Sequence, residues 1–267
     1  IDETGKLVTH NYEGDGDGTE LRNLIDNLAG TKEHFGSFQT LSNIVVEAVN
    51  PSVDNPKKPQ LAEASADTSS ELPYSNYTRT LDIDNAIHTV TYKEDGVTFK
   101  REYFMSYPDN VMVMRLTSDS GKGTLSRIIS LESLHADKTI TADGNAITLT
   151  GYPTPVSGDR RVGDAWKNGL KYAQQLLVRH DGGKISVIDG KKLKIENAKE
   201  IIVLMSAATN YVQCMDDSYN YFSKEDPLNK VKTTLKKVAQ KKYTALLATH
   251  KKDYHSLYDR MQLNLGS

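Results

Sequence analysis

Cysteine, tryptophan and long apolar runs are scarce in this chain of 267 residues, which contains one cysteine and one tryptophan. The lone Cys214 excludes a disulfide within the chain and a zinc site built from several cysteines. No stretch approaches the roughly 20 apolar residues that cross a bilayer, so we expect no membrane span. Neither GxGxxG nor GxSxG occurs, and the segment SGKGTLS lacks the upstream glycine of a phosphate-binding loop. These absences argue against nucleotide binding and serine hydrolase chemistry, and we expect no cofactor.

The two ends of the chain differ from the rest in pattern and charge. The N-terminal sequence IDETGKLVTH has neither an initiator Met nor the basic-then-apolar order of a signal peptide, so we interpret it as a processed or truncated start. Residues 224–260 hold ten basic and four acidic residues, although the whole chain has a formal net charge of -2. The lysines alternate with an apolar helical stripe, and no aromatic-basic groove pattern accompanies them. We therefore predict a solvated helix face and no nucleic acid partner.

Residues 38–211 consist of short runs rich in Val, Ile, Thr and Tyr that are separated by turn residues, which is typical of antiparallel strands. The clearest hairpin is IHTVTYKEDGVTFKREYF, in which Asp95-Gly96 supplies a turn with positive φ. Further hairpin turns are predicted at Asp143-Gly144 and at Asp181-Gly182-Gly183. No helical crossover of roughly 10 to 15 residues separates these strands. The sequence therefore predicts a mainly β fold, a large antiparallel β-sandwich of the super-sandwich type.

Helical periodicity is confined to the two ends of the chain. A short amphipathic helix is predicted over residues 19–30, and a second helix begins at Asp226, a typical N-cap, with Pro227 in the first helical position. We predict an N-terminal segment with a short helix at 1–37, the β-sandwich at 38–211, and a two-helix linker at 212–267. The linker carries two apolar stripes, the first formed by Leu228, Val231, Leu235 and Val238, and the second by Tyr243, Leu246, Leu247, His250, Tyr254, Leu257 and Tyr258.

No group of acidic or histidine side chains meets the requirements of a catalytic or metal site. Asp82 and Asp84 in LDID could pair as in glycoside hydrolysis, but the solvated face of a half-buried strand explains them better. The acidic segment EGDGDGTEL lacks the ligand spacing of a calcium loop. His250 and His255 are five residues apart, which does not suit a zinc pair on one helix. We predict no catalytic residue and no metal site in this chain.

Trp166 is the one candidate for contact with a substrate. It lies in the Gly/Pro-rich segment 151–169 beside Arg160 and Arg161. An indole ring in such a loop could stack on a sugar or pack at a domain interface. A single aromatic platform seldom gives more than weak affinity, so we expect no measurable binding of a free sugar by this chain.

Four longer segments carry a family resemblance when they are taken together. They are HFGSFQTLSNIVVE at 34–47, YTRTLDIDNAIHTVTYKEDGVTFKREYFMSYPDNVMVMRLTS at 77–118, KLKIENAKEIIVLMSAATNY at 192–211 and YTALLATHKKDYHSLYDRMQLNLG at 243–266. In this order they resemble the N-terminal domain of glycoside hydrolase family 95, the α-L-fucosidases. The resemblance covers most of the chain. The family usually opens with a glycine-rich strand segment, which IDETGKLVTH does not match.

The resemblance implies a β-sandwich and a helical linker, followed in the same polypeptide by an (α/α)6 catalytic barrel. It also implies an inverting enzyme, secreted or periplasmic, that releases terminal fucose from glycans. The catalytic residues of that family lie in the barrel, so no residue of this chain inherits a catalytic role. We further expect the linker to dock on the barrel through some residues of these stripes, because together the stripes hold more large apolar side chains than contact with the edge of the sandwich requires.

Two alternative functions stay open at this stage. A stand-alone carbohydrate-binding sandwich would need exposed aromatic side chains on a concave face, for which Trp166 and loop tyrosines are available. The parent enzyme could instead act on another sugar such as L-galactose, because the resemblance reaches only the domain that does not choose the substrate.

Overall fold

The computed structural model describes residues 40–49, 74–120, 123–153, 169–212 and 222–261. All of these residues belong to one unit, which begins at Thr40. In chain order its elements are β1 (Asn43–Ala48), β2 (Ser75–Asp82), β3 (Ile87–Glu94), β4 (Val97–Ser106), β5 (Val111–Ser118), β6 (Leu125–Glu132), β7 (Lys138–Asp143), β8 (Ala146–Gly151), β9 (Tyr172–Asp181), β10 (Lys184–Ile188), β11 (Lys192–Ala198), β12 (Glu200–Thr209), α1 (Pro227–Val238) and α2 (Tyr243–Tyr258).

The strands form two antiparallel sheets that pack face to face. The larger sheet has eight strands in the order β2-β3-β4-β5-β12-β9-β8-β7, and the smaller has four in the order β1-β6-β11-β10. This arrangement confirms the predicted mainly β sandwich with two C-terminal helices. The predicted helix at 19–30 lies outside the described residues, and the three predicted domain ranges stay predictions.

Two of the predicted turns illustrate how local sequence and sheet pairing combine. The β3–β4 hairpin turns at Asp95 and Gly96, whose φ angles of 48° and 81° are left-handed as predicted. The predicted hairpin at Asp181-Gly182-Gly183 is wrong, because β9 pairs with β8 and β12 whereas β10 pairs with β11. This turn instead carries the chain from the larger sheet to the smaller one. A side chain at Gly183 would collide with the carbonyl oxygen of Glu196.

Strand β12 lies in the middle of the larger sheet and is buried on both faces. Ile201 and Val203 point into the core between the two sheets. Ile202 and Leu204 point to the outer face, where the helices cover them. A strand that is covered on both sides needs apolar residues at successive positions, which explains the continuous apolar run of EIIVLMSAAT.

Helix α1 packs on this outer face, mainly against β9 and β12. Its start follows the sequence prediction, since the Asp226 carboxylate accepts a hydrogen bond of 2.9 Å from the Leu228 amide and Pro227 stands in the first turn. Val231, Leu235 and Val238 are fully buried in the same cluster as Ile202 and Leu204. These three residues are therefore not among those that could dock on another domain, because the outer face of the larger sheet is itself apolar and the helix buries it.

No helix in the described part of the chain is long and apolar enough to cross a membrane.

Candidate functional site

A charged cavity of about 710 Å³ lies on the outer face of the larger sheet, beside the start of α2. Strands β4, β5 and β12 supply Glu102, Arg115 and Glu200, while Lys242 and Tyr243 come from the start of the helix. The alternation of a strand explains why Glu102 faces this side, since Phe104 two residues later lies in the cluster under the helices. Concave, charged surroundings of this kind are the first place to look for reactive groups.

The arginine and glutamate side chains of this cavity are bound to one another or to the backbone. Arg115 donates through Nε to Glu200 at 2.6 Å and through Nη1 to Glu102 at 3.3 Å. Burial alone would lower the pKa of Arg115, but the hydrogen bond and charge of Glu200, with Glu102, raise it above its ordinary value. Arg179 donates through Nη1 to the carbonyl oxygens of Ala239 and Lys241. The ion pairs of Arg115 join β4, β5 and β12, and Arg179 joins β9 to the α1–α2 loop, which are structural uses of these charges.

Tyr243 closes the cavity without a hydrogen bond to its hydroxyl group. The side chain is buried, and the hydroxyl has no partner at hydrogen-bonding geometry. The Arg115 guanidinium lies over its ring, 4.4 Å from the centroid, and the ring contacts Phe104 edge to face. Burial, followed by the negative charge of Glu102, raises the pKa of Tyr243 to about 12. The hydroxyl is thus neutral near pH 7 and unsuited to act as a general base.

The two carboxylates proposed from the LDID motif stand at the turn between β2 and β3. Asp82 accepts hydrogen bonds from the backbone amide and the side-chain amide of Asn85, at 3.1 and 2.8 Å. Asp84 accepts a hydrogen bond of 3.0 Å from the Tyr258 hydroxyl. Asp82 therefore holds the turn and Asp84 holds the end of α2, in keeping with the structural interpretation of this motif.

Helix α2 is tied to the sheet by three polar groups one helical turn apart. The ring nitrogens of buried His250 lie 3.0 Å from the carbonyl oxygens of Met105 and Asn85, and the ring stacks on Phe104. Tyr254 donates to the carbonyl oxygen of Ile83 at 2.6 Å, and Tyr258 donates to Asp84. In the sequence these three side chains belong to an apolar stripe, and His250 was considered besides only as a zinc ligand. The signal for the observed bonds is the spacing of their polar tips at i, i+4 and i+8.

The end of the α2 stripe is exposed, together with Met261 just after the helix. Leu257 is 62% exposed and Met261 is 84% exposed, and the ring of Tyr258 is also partly open to solvent. We name Leu257, Tyr258 and Met261 the α2 overhang. Among the described residues, Tyr254 stacks on the Tyr258 ring, whereas Leu257 and Met261 stay largely exposed, in contrast to the buried Tyr243 and Leu246 at the start of the helix.

The remaining candidates from the sequence are placed only in part. Trp166, Cys214 and the acidic segment EGDGDGTEL lie outside the described residues, so contact between Trp166 and a sugar stays a prediction. His255 pairs with Asp259, 3.0 Å away on the last turn of α2, whereas His250 binds backbone oxygens. Within the described ranges, no three His, Cys, Asp or Glu side chains come together as metal ligands.

Comparison with known proteins gives the chain its family. Residues 17–214 match the profile described as glycosyl hydrolase family 65, N-terminal domain. The chain belongs to this family. A protein named "Probable alpha-fucosidase A" from Aspergillus niger is 27% identical over 246 residues, which cover 90% of this chain and 27% of that protein. Alpha-L-fucosidase 2 from Arabidopsis thaliana is 31% identical over 206 residues, 72% of this chain and 24% of that protein.

The region that matches this chain is only part of the length of each relative. A third relative, named "Probable alpha-fucosidase A", from Aspergillus oryzae, is 22% identical over 249 residues, 89% of this chain and 29% of that protein. The chain thus spans about a quarter of the length of the curated relatives it matches. The predicted resemblance to a glycoside hydrolase N-terminal domain with α-fucosidase relatives is confirmed. The matching profile is described as family 65. The assignment to family 95 therefore stays a prediction.

Proposed function

We propose that this chain is the non-catalytic N-terminal domain of an inverting α-L-fucosidase of glycoside hydrolase family 95 that acts on terminal fucose of glycans. The observation that carries the proposal is the match to relatives named α-fucosidases, which are roughly four times as long as the matched region. The described acidic side chains near α2 support it, since Glu102, Glu200, Asp82 and Asp84 all have structural partners. A secreted or periplasmic location is part of the same proposal.

The domain would act as a brace for an (α/α)6 barrel that follows α2 in the polypeptide. The α2 overhang supports this role, because Leu257 and Met261 are exposed whereas Leu246 on an earlier turn of the helix is buried. The bonds of Tyr254 and Tyr258 to the β2–β3 turn hold the overhang in place before a partner arrives. A rigid, exposed apolar surface at the end of a helix is suited to a permanent contact within one polypeptide.

The activity is tested with the complete coding sequence of the gene and with residues 1–267 alone. We expect the complete protein to release L-fucose from an α-L-fucoside, and proton NMR to show the β anomer as the first product, as inversion requires. Residues 1–267 should release none. An α-L-galactoside assayed in parallel separates the fucose proposal from the galactose alternative. Preference for the galactoside, or the α anomer as first product, would contradict the corresponding part of the proposal.

The brace is tested by hydrogen exchange and by one substitution. In the complete protein, we expect the amides near Leu257 to exchange more slowly than in residues 1–267. Leu257→Asp should lower the melting temperature of the complete protein and leave that of residues 1–267 unchanged. Leu134→Asp is the control, because Leu134 is an exposed leucine, 88% against 62% for Leu257, in the β6–β7 loop beside the other edge strand of the larger sheet. Equal effects of the two substitutions on the complete protein would rule out the brace at this surface.

A further inference from the structure

Two arginines occupy inward-facing positions of the sandwich, one from each sheet. Arg101 on β4 stands between Phe99 and Tyr103, and both of these rings belong to the core between the sheets. Arg127 on β6 stands between Leu125 and Ile129, which are fully buried in the same core. Arg127 itself is only 5% exposed. Strand alternation would normally place an apolar side chain at such positions, so these two charges need an explanation.

The two guanidinium groups converge on a single tyrosine. Nη2 of Arg101 and Nη2 of Arg127 donate to the Tyr92 hydroxyl at 3.2 and 3.3 Å. Arg127 also donates through Nη1 to the carbonyl oxygen of Ser126. Arg101 lies 5.4 Å from the centroid of the Tyr92 ring, and Arg127 lies 4.9 Å from that of Phe99. Aromatic faces and one shared hydroxyl therefore provide much of the stabilisation of two like charges.

No carboxylate pairs with either guanidinium among the described residues, and the Nε atoms of both arginines are buried without a hydrogen-bond acceptor. Arg115 on the opposite face shows the contrast, since two glutamates bind it. A buried charge without a counter-charge is strongly unfavourable, and an arginine fork has the geometry to bind a carboxylate through two parallel hydrogen bonds. The pair thus has the charge and the hydrogen-bond donors of an anion site.

Two further tyrosine rings extend this cluster towards solvent. Tyr74 and Tyr77 lie at the start of β2, the edge strand, with ring centroids 5.7 Å apart, and Tyr74 also contacts Tyr92 at 6.2 Å. Tyr77 is 50% exposed, so this flank faces solvent. Aromatic rings beside a guanidinium pair suit a small ligand that has one carboxylate and one apolar face.

We propose that Arg101 and Arg127 form a binding site for a small carboxylate-bearing ligand, with Tyr74 and Tyr77 along its solvent side. The site is separate from the α2 overhang and does not depend on the proposed fucosidase activity. The chemistry that it recognises is the carboxylate, which could belong to an acidic sugar or to a simple organic acid.

The test uses thermal unfolding of residues 1–267 in sodium glucuronate, sodium acetate and sodium chloride at equal sodium concentration, with neutral glucose as a further control. We expect a saturable rise in melting temperature with glucuronate and none with chloride or glucose, by roughly 3 °C at ten times Kd. A larger rise with glucuronate than with acetate identifies an acidic sugar as the ligand. Equal rises identify the carboxylate alone, and the site is supported in both cases.

Three variants locate the effect. Arg101→Met and Arg127→Met should abolish the glucuronate shift, and because they remove an unpaired charge we expect them to fold and to melt no lower than the parent chain in chloride. Arg260→Met, which removes an exposed charge at the end of α2, should keep the full shift. Should either core variant fail to fold, the arginine Nε–H resonances of the parent chain are followed by NMR during the titration. The proposal would be overturned if glucuronate gave no rise in melting temperature above the chloride control. It would also be overturned if Arg101→Met and Arg127→Met both kept the rise.

Discussion

The two apolar stripes of the helical segment look alike in sequence, yet the protein uses them differently. The α1 stripe is buried completely, with Val231, Leu235 and Val238 packed on β9 and β12. The α2 stripe is buried at Tyr243 and Leu246 and exposed at Leu257. The difference arises because α1 packs on β9 and β12, whereas the end of α2 contacts the β2–β3 turn through the polar tips of Tyr254 and Tyr258. An apolar stripe therefore predicts that a helix packs on an apolar surface. The surface that lies under each turn determines how much of the stripe is buried.

The largest effect is expected from the α1 stripe. Leu235→Ala removes a side chain that is almost completely buried and leaves a cavity, so we expect residues 1–267 to lose roughly 2 to 5 kcal/mol of unfolding free energy. Urea unfolding followed by circular dichroism measures the loss. Leu134→Ala, at an exposed site, should change stability by less than about 0.5 kcal/mol. A similar small change for both variants would show that α1 is not part of the cooperative core.

The next effect is expected at the anchor of α2. His250→Ala leaves the carbonyl oxygens of Met105 and Asn85 without this partner and removes the contact with Phe104, at a cost of roughly 2 to 3 kcal/mol. Hydrogen exchange should show faster opening of α2 while α1 stays protected. Uniform destabilisation of both helices would mean that the two stripes form a single unit.

A smaller effect is expected at alkaline pH from Tyr243. Its pKa in the folded chain, about 12, exceeds the ordinary value near 10, so its contribution is fully present below pH 10 and is lost as the pH rises through 12. Between pH 10 and 12 the parent chain should lose up to about 2 kcal/mol of unfolding free energy that Tyr243→Phe keeps. Near pH 7 the two chains should have similar stability, because no hydrogen bond of the hydroxyl is lost. Unfolding curves at pH 7, 10 and 12 provide the measurement. Tyr107→Phe, at an exposed position, should leave the pH profile unchanged.

The smallest effect is expected at the α2 overhang. Leu257→Ser in residues 1–267 should change the unfolding free energy by less than about 0.5 kcal/mol, because the side chain is already exposed. Urea unfolding of Leu257→Ser and Leu235→Ala under the same conditions compares the two losses of unfolding free energy. A loss comparable to that of Leu235→Ala would show that the overhang is covered within this chain.

Much of the fold could be predicted because it depends on local pattern. Alternation and turn residues predicted the β3–β4 hairpin, and Asp226 with Pro227 predicted the start of α1. The turn at Gly182 and Gly183 was predicted as a turn but not as a crossing between sheets, since positive φ angles are compatible with both. Which strands pair across that turn depends on β8, β11 and β12, which are distant in sequence.

The candidate sites were less accessible to sequence reasoning than the elements that carry them. His250 was assigned to an apolar stripe, and nothing nearby in sequence shows that Met105 and Asn85 would present carbonyl oxygens to its ring. Arg101 and Arg127 received no prediction, because an arginine within a strand is usually solvated and its inward direction emerges only from the sheet pairing.

The sequence by itself determined where strands, turns and helices form, because propensity, capping and periodicity act between residues close in the chain. It also carried the family resemblance, which rests on ordered segments such as LDIDNA and HKKDYHSLYDR. The tertiary structure alone decided that the α1 stripe is buried on the larger sheet and that the end of the α2 stripe is exposed. It also decided that Arg101 and Arg127 both donate to the Tyr92 hydroxyl. These outcomes depend on contacts between strands far apart in the chain, where the length of each sheet and the register of its pairing determine which side chains are buried.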